Sequence, residues 1–201
     1  MRRVIWLVRH AEPEYPGGKK IYLGQKLDPP LSTQGKEQAR SAAALLNGAV
    51  PDAAYVSSML RCRETAVPFL KNGVPDPTVL QQLTELNTGS WEGLPMDDVW
   101  KSSPEHFRNG CLPPPGGETN EQGLKRVSEA LEYMLRNPGK AILCVTHGGL
   151  GRLMLCLLTH TPLSEKRSFR MNHACIWRLE FEDTRFINAC LLSPAEKENP
   201  V

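Results

Sequence analysis

The chain contains no long apolar run. None approaches the roughly 20 residues a membrane span needs, so no membrane partner is expected. Net charge is also scarce, at +2 over 201 residues. Nucleic-acid binders show a more basic and more clustered pattern, and no nucleic-acid partner is expected. The six cysteines include no C-x-x-C pair and no zinc-finger spacing. Cys144, Cys156 and Cys175 lie inside apolar runs and read as small buried hydrophobes. No disulfide framework and no metal site are expected, and a reducing cytoplasm is the expected compartment. Internal repeats and low-complexity segments are missing. A secretory leader is not expected, because a strand pattern starts at Val4 and polar Arg9-His10 interrupts it.

What is present is the composition of an ordinary globular protein, 40% hydrophobic and 23% charged, on a chain long enough for one well-buried core. The run Val4-Ile-Trp-Leu-Val8 is mostly β-branched or aromatic and ends in Arg9-His10. It reads as a buried parallel strand that delivers its last two side chains to the carboxyl edge of a sheet. Ligands bind at that edge in open α/β sheets. Ala141–Thr146 is a second apolar run, and it ends in His147-Gly148-Gly149. Two strand-end histidines with arginines nearby predict an anion site that holds a nucleophile.

The segment from Ala11 to Pro30 is rich in turn formers and charges and is predicted to be a loop. Ser32 is a good N-cap for a helix over Ser32–Leu46, with Ala39, Ala42, Ala43 and Leu46 on one face. A short strand at Ala53–Ser57 leads into a helix carrying Arg61, Arg63, Thr65 and Ala66, which ends by Gly73 and Pro75. Val79-Leu80 reads as a brief edge strand. Leu83–Gly93 is a loop with Glu85 near its start, and short helical pieces are expected over Leu94–Gly110. Pro113–Gly117 is a break, and Thr119-Asn-Glu-Gln122 is a capping-box pattern ahead of Leu124, Val127, Leu131 and Met134 at helical spacing. Leu150–Leu158 is apolar on nearly every side and predicts a buried helix. Ala174–Phe181 and Phe186–Leu192 read as a hairpin turning at Glu182-Asp183. The expected fold is α/β: three layers, with a mainly parallel sheet flanked by helices. One domain is expected over residues 1–193, with a frayed tail at 194–201. Residues 86–117 lack strong periodicity and are too long for an ordinary connection. They read as a lid over the carboxyl edge.

A neutral imidazole is a good nucleophile towards phosphorus, and a covalent intermediate splits hydrolysis into two easier displacements. Guanidinium forks suit the oxygens of a transferring phosphoryl group. Arg9, Arg61 and a second histidine supply that positive setting and bias His10 towards its neutral form. Glu85 is placed to donate a proton to the departing alkoxide.

Five motifs occur in order. The first is a two-part signature, Leu7-Val-Arg-His-Ala-Glu12 with Asp28-x-Pro30-Leu31-Ser32-x-x-Gly35-x-x-Gln38-Ala39. Next come Ser57-Ser-Met-Leu-Arg61-x-x-x-Thr65-Ala66 and Glu85-x-x-x-Gly89-x-Trp91-Glu92-Gly93. The last two are Gly116-Gly-Glu-Thr119 and Thr146-His-Gly-Gly149. Together they resemble the histidine phosphatase superfamily, the phosphoglycerate mutase-like phosphatases, over about Arg3 to Leu192. The resemblance implies a phosphohistidine mechanism with no metal and no cofactor, acting on a small-molecule phosphomonoester. It makes His10 the nucleophile, Arg9, Arg61 and His147 the phosphate pocket, and Glu85 the proton donor. Glu118 and Thr119 would lie near the leaving group. Two departures stand out. Ala11 replaces a glycine, and the asparagine expected a few residues later is missing, with Pro16 or Gly17 there instead; Gln25 or the loop backbone would take over that contact. The mutases of the family carry longer insertions than this length allows, which favours a phosphatase. The Glu85–Gly93 motif and an aromatic, proline-rich lid resemble the α-ribazole phosphatase branch of cobalamin assembly. A mutase and a non-catalytic phospho-ligand binder are the alternatives, and a homodimer is one assembly the sequence allows.

Other residues have blander readings. Arg63 reads as a solvated helix charge and Lys19-Lys20 as solvated. His106, His160 and His173 carry no motif and read as structural or surface residues. Trp91 and Trp100 read equally as packing or substrate contacts, and Glu92 as a residue that positions its loop.

Overall fold

The computed structural model describes residues 1–70, 76–108 and 112–192. The tail from Pro194, the helix end expected at Gly73 and Pro75, and Gly110 lie outside the described residues. Six strands form one sheet: β1 (Arg2–Arg9), β2 (Ala53–Val56), β3 (Thr78–Val79), β4 (Ala141–Thr146), β5 (Ile176–Glu182) and β6 (Arg185–Leu191), in the order β3-β2-β4-β1-β5-β6. The pairs β1–β4, β2–β4 and β2–β3 are parallel, whereas β1–β5 and β5–β6 are antiparallel. The sheet is therefore mixed, with its parallel half carrying the two histidine-ended strands.

Alternation along the central strands makes two cores. Ile5 and Leu7 of β1 with Ile142 and Cys144 of β4 face one side; there they meet α5 (Asn120–Arg136) and α6 (Gly148–Thr159). Trp6, Val8, Leu143 and Val145 face the other side, against α1 (Thr33–Ala44) and α2 (Leu60–Ala66). This is the expected three-layer α/β arrangement. The α6 helix is buried at most of its positions, as its all-round apolar sequence requires. Two short helices, α3 (Met96–Ser102) and α4 (Glu105–Arg108), lie in the stretch between β3 and α5.

Local signals work as expected at the helix starts. Ser32 Oγ accepts from Gly35 N at 2.9 Å, and Thr119 with Gln122 forms the reciprocal capping box of α5. The α1 start also locks the loop after β1. Glu12 N donates to Gln38 Oε1 at 2.9 Å, and a Cβ on Gly35 would meet Glu12 O at 2.0 Å. Gly35→Ala must push the His10–Glu12 backbone aside, and a stability loss of about 2–4 kcal/mol is expected in a urea titration. An unchanged midpoint would show that this backbone yields freely.

The hairpin departs from its sequence bounds at both ends. Glu182 is still strand, and the chain turns at Asp183, where φ is +55°. β5 begins at Ile176 because Ala174 sits at φ +57°, which breaks the extended run, and Ala174 N donates to His10 O at 3.2 Å.

Candidate active site

Register brings the functional strand ends level. Arg9 pairs with Thr146, while Val56 pairs with Val145, so His10, His147 and Ser57 all emerge at one edge of the sheet. The His10 and His147 rings meet edge to face with centroids 5.1 Å apart. His10 Nδ1 lies 2.8 Å from Ala11 O, and the carbonyl can only accept, so this nitrogen carries the hydrogen and Nε2 keeps its lone pair. His10 is 5% exposed and lines a cavity of about 480 Å³. His147 is wholly buried behind it, with Nε2 2.8 Å from Ser57 Oγ and 3.4 Å from Cys62 Sγ.

The two arginines are held by their outer nitrogens. Arg61, 1% exposed, donates from NH1 to Leu27 O at 3.1 Å and from NH2 to Gly24 O at 3.0 Å. Arg9 donates from NH1 to Met171 O, and its NH2 lies 3.0 Å from His173 Nε2. In both side chains Nε is buried with no hydrogen-bond partner among the described residues. A buried donor left unmatched by protein is what an anion site requires. Asp28 helps seat Arg61: its Oδ1 accepts from Leu60 N at 2.7 Å and stands 3.6 Å from Arg61 NH1.

Glu85 reaches the first turn of α6, where its Oε2 accepts from Gly149 N at 3.3 Å and its Oε1 from Leu86 N at 2.9 Å. A Cβ on Gly149 would stand 2.6 Å from Glu85 Oε1, so the glycine lets the carboxylate approach. Glu92 positions its loop, accepting from Leu27 N at 2.9 Å and from Lys26 N.

Burial drives both histidines well below the usual imidazole range; His147, Arg9 and Arg61 add to the effect on His10, and Arg61 and Arg9 to that on His147. Both rings are neutral at pH 7. Stability is untouched above about pH 6.5, where the unfolded rings are neutral too. Below it the unfolded chain takes up protons that the fold refuses, and stability falls by about 3 kcal/mol per pH unit for the two rings together. Urea titrations of the ligand-free protein between pH 7 and 5 should show at least this slope, with His173 adding to it, and a shallower one in His10→Gln. A flat profile would mean that these rings are charged in the fold.

The profile of the "Histidine phosphatase superfamily (branch 1)" matches residues 5–191. The chain belongs to the histidine phosphatase superfamily. It is 32% identical over 186 residues to phosphoserine phosphatase 1 of Hydrogenobacter thermophilus, covering 89% of this chain and 87% of that one. It is 32% identical over 189 residues to a 2,3-bisphosphoglycerate-dependent phosphoglycerate mutase of Parvibaculum lavamentivorans, covering 87% of each. Among solved structures it is similar to the α-ribazole phosphatase of Shigella flexneri, with a TM-score of 0.78, 25% identity and 96% of each chain covered. A phosphoric monoester hydrolase of the histidine phosphatase type is what these relatives support. The mutase match shows that chain length does not separate the two activities.

Measured against the histidine phosphatase motifs, the structure gathers His10, Arg9, Arg61, Glu85 and Glu118 around the cavity. It departs from three expected contacts. His147, expected in the phosphate pocket, is wholly buried and outside the cavity lining, with its Nε2 at Ser57 Oγ. Gln25 is exposed and does not line the cavity; its Nε2 donates to Glu85 O at 2.6 Å. Thr119 does not line it either, because its hydroxyl is the α5 cap. Glu118 faces the cavity while its carboxylate is held by Arg126 through two contacts of 2.7 Å. From the expected lid stretch, Trp91, Met96, Trp100 and Pro113 line the cavity. The tryptophans differ: Trp91 is buried against Tyr22 and His106, whereas Trp100 is 54% exposed.

Three residues escaped sequence reasoning. Tyr15, from the loop after β1, lines the cavity. Arg152 lines the cavity one turn into α6. Of the two readings the sequence left open for His173, structural or surface, the structural one holds, and beside the site: it bonds Arg9, and its ring centroid is 5.5 Å from that of His10. Burial and the nearby Arg9 and Lys20 push its pKa down to about 3, so its Nε2 is a hydrogen-bond acceptor for Arg9.

Proposed function

We propose that the protein hydrolyses a small phosphomonoester through a phosphohistidine at His10. One observation carries this reading: a neutral imidazole with Nδ1 tied to Ala11 O lies beside two arginines whose buried Nε donors have no partner among the described residues. In the first step the His10 Nε2 lone pair attacks phosphorus and the bond to the leaving oxygen breaks. Glu85 gives its proton to that oxygen as negative charge develops. In the second step Glu85, now a carboxylate, takes a proton from water, and the water oxygen attacks phosphorus. The P–N bond breaks, its electron pair returns to Nε2, and inorganic phosphate leaves. Arg9 and Arg61 neutralise the equatorial oxygens throughout, in a buried setting where such contacts count most. His147 acts from behind by keeping His10 neutral and oriented, and the N-terminus of α6 adds a favourable dipole.

The test is phosphate release from a panel of phosphomonoesters, including p-nitrophenyl phosphate, with and without a chelator. Release from at least one, undiminished by EDTA, is expected, because the arginines supply the charge that a metal would otherwise bring. Complete loss with EDTA, restored by a divalent ion, would overturn the mechanism. Binding of phosphomonoesters without turnover would favour a phospho-ligand binder. Return of labelled phosphoryl to product in preference to water would favour a mutase. A nucleoside monophosphate such as α-ribazole 5′-phosphate is a second reading of the substrate, supported by the aromatic wall of Tyr22, Trp91 and Trp100.

A further inference from the structure

Glu85 is held from behind the cavity wall as well as from within it. It follows the 3-10 turn Gln81–Leu83, and three carbonyls of this segment converge on one guanidinium, that of Arg126 on α5. Arg126 NH1 donates to Gln82 O at 2.9 Å and to Thr84 O at 2.8 Å, and NH2 donates to Glu85 O at 3.4 Å. Glu118 takes the rest. Its Oε1 accepts from Arg126 Nε and its Oε2 from NH2, both at 2.7 Å. A guanidinium has five N–H groups in one plane, and here each of the five has a partner.

The Gly116–Thr119 motif closes this frame against the Glu85 loop. Glu118 Oε2 also accepts from Asn87 N at 3.2 Å, and Glu118 N donates to Asn87 O at 2.9 Å. A Cβ on Gly117 would stand 2.7 Å from Asn87 O, and one on Gly89 2.2 Å from Pro115 O, so the two glycines let the backbones touch. The Arg126 side chain is 23% exposed and that of Glu118 11%, a setting that weakens screening of a charged fork. Arg126 is not part of the cavity lining, so it does not hold the phosphoryl group. Its contact with Glu85 is to the backbone, where Gln25 Nε2 donates as well, while the carboxylate oxygens accept from Leu86 N and Gly149 N. Fixing the peptides around Glu85 fixes the direction of its Cβ, and with it where the carboxyl can reach.

Resting on the reading of Glu85 as proton donor, we infer that Arg126, oriented by Glu118, is the positioning residue of that donor. It sets the backbone at Gln82, Thr84 and Glu85 so that the Glu85 carboxyl meets the leaving oxygen. Proton transfer demands hydrogen-bond reach, so a small displacement of the carboxyl costs much of its effect. Attack by His10 and neutralisation by Arg9 and Arg61 do not pass through this frame. The loss caused by removing Arg126 should therefore grow with the basicity of the leaving group, as the loss caused by removing the Glu85 carboxyl does.

The experiment measures kcat/KM, which reports the steps up to departure of the leaving group, on p-nitrophenyl phosphate, phenyl phosphate and glycerol 3-phosphate. In Arg126→Met the loss on glycerol 3-phosphate is expected to exceed that on p-nitrophenyl phosphate by about tenfold or more, the scale of a sub-ångström to ångström misplacement. Phenyl phosphate should fall between them. Arg126→Lys keeps the charge but not the planar fork; it should show the same ordering, and it serves if Arg126→Met does not fold. In a Glu85→Gln background either change should add no leaving-group dependence, because the group being positioned no longer transfers a proton. Equal losses on all three probes in a folded variant would make Arg126 a brace of the fold and overturn the inference. So would an Arg126→Lys protein with wild-type ratios, or a leaving-group dependence that persists in the Glu85→Gln background. Equal losses in Glu85→Gln itself would remove the proton donor, and this inference with it, while the hydrolase reading stood. Failure of the wild-type protein to release phosphate from any probe would instead overturn the hydrolase reading.

Discussion

His10→Ala is expected to lose on the order of 10⁴-fold or more in kcat, the scale on which an enzyme falls when its nucleophile is removed and only binding remains. The same change should abolish covalent labelling. Brief incubation with phosphorylated substrate, then denaturation, should leave phosphate on the wild-type chain in a form lost in acid and retained in base, as a P–N bond behaves. The geometry explains why the two histidines that flank it do not substitute. His147 is wholly buried with Nε2 engaged by Ser57, and His173 presents its Nε2 to Arg9. His10 is the imidazole that lines the cavity with Nε2 uncommitted, because Ala11 O has taken the other ring nitrogen. Since the ring is neutral well below pH 7, no proton has to leave it before attack. A folded His10→Ala protein that kept full activity would sink the mechanism.

Glu85→Gln should separate two roles that coincide in the structure. Glu85 lines the cavity while its oxygens accept from Gly149 N and Leu86 N, so it also braces the loop against α6. Glutamine keeps one oxygen for one of those two backbone donors and removes the proton-transfer chemistry. With an alkyl phosphate, whose leaving oxygen needs a proton, a loss of roughly a hundred-fold or more is expected. With p-nitrophenyl phosphate the loss should be much smaller, since little charge builds up that needs a proton. Equal losses on the two substrates, in a variant that still folds, would make Glu85 a brace and move the proton donor elsewhere. Glu118 is the next carboxyl at the cavity, although its two contacts with Arg126 hold it as an ion pair.

Much of the scaffold was legible because its signals are local. The strand β1 announced itself by a run of β-branched residues, and α1 and α5 by caps whose hydroxyls bond within three residues. The motif glycines and glutamines that looked like family markers have plain physical work. Gly35 and Gln38 hold Glu12, and Thr65 accepts from Ala11 N at 2.9 Å while donating to Arg61 O at 2.6 Å. Gln25 and Thr119 misled because nearness to a motif in sequence says nothing of where a side chain spends its hydrogen bonds. Each is consumed by a neighbour on the backbone.

The sequence by itself determined the α/β layering, the two histidine-ended strands and the presence of Arg9, Arg61 and Glu85 in ordered motifs, since period, caps and breakers act over a few residues. Only the tertiary structure decided that His173 clamps Arg9 across 164 positions, that Arg152, Lys166 and Arg167 share one cavity, and that His147 stands behind His10. The reason is strand order. β5 pairs antiparallel with β1, and the backbone turns sharply at Ala174, so the residues just before β5 reach the active edge of the sheet. Nothing in the local pattern of that segment encodes which strand it will lie beside, because pairing is settled by burial of both faces at once.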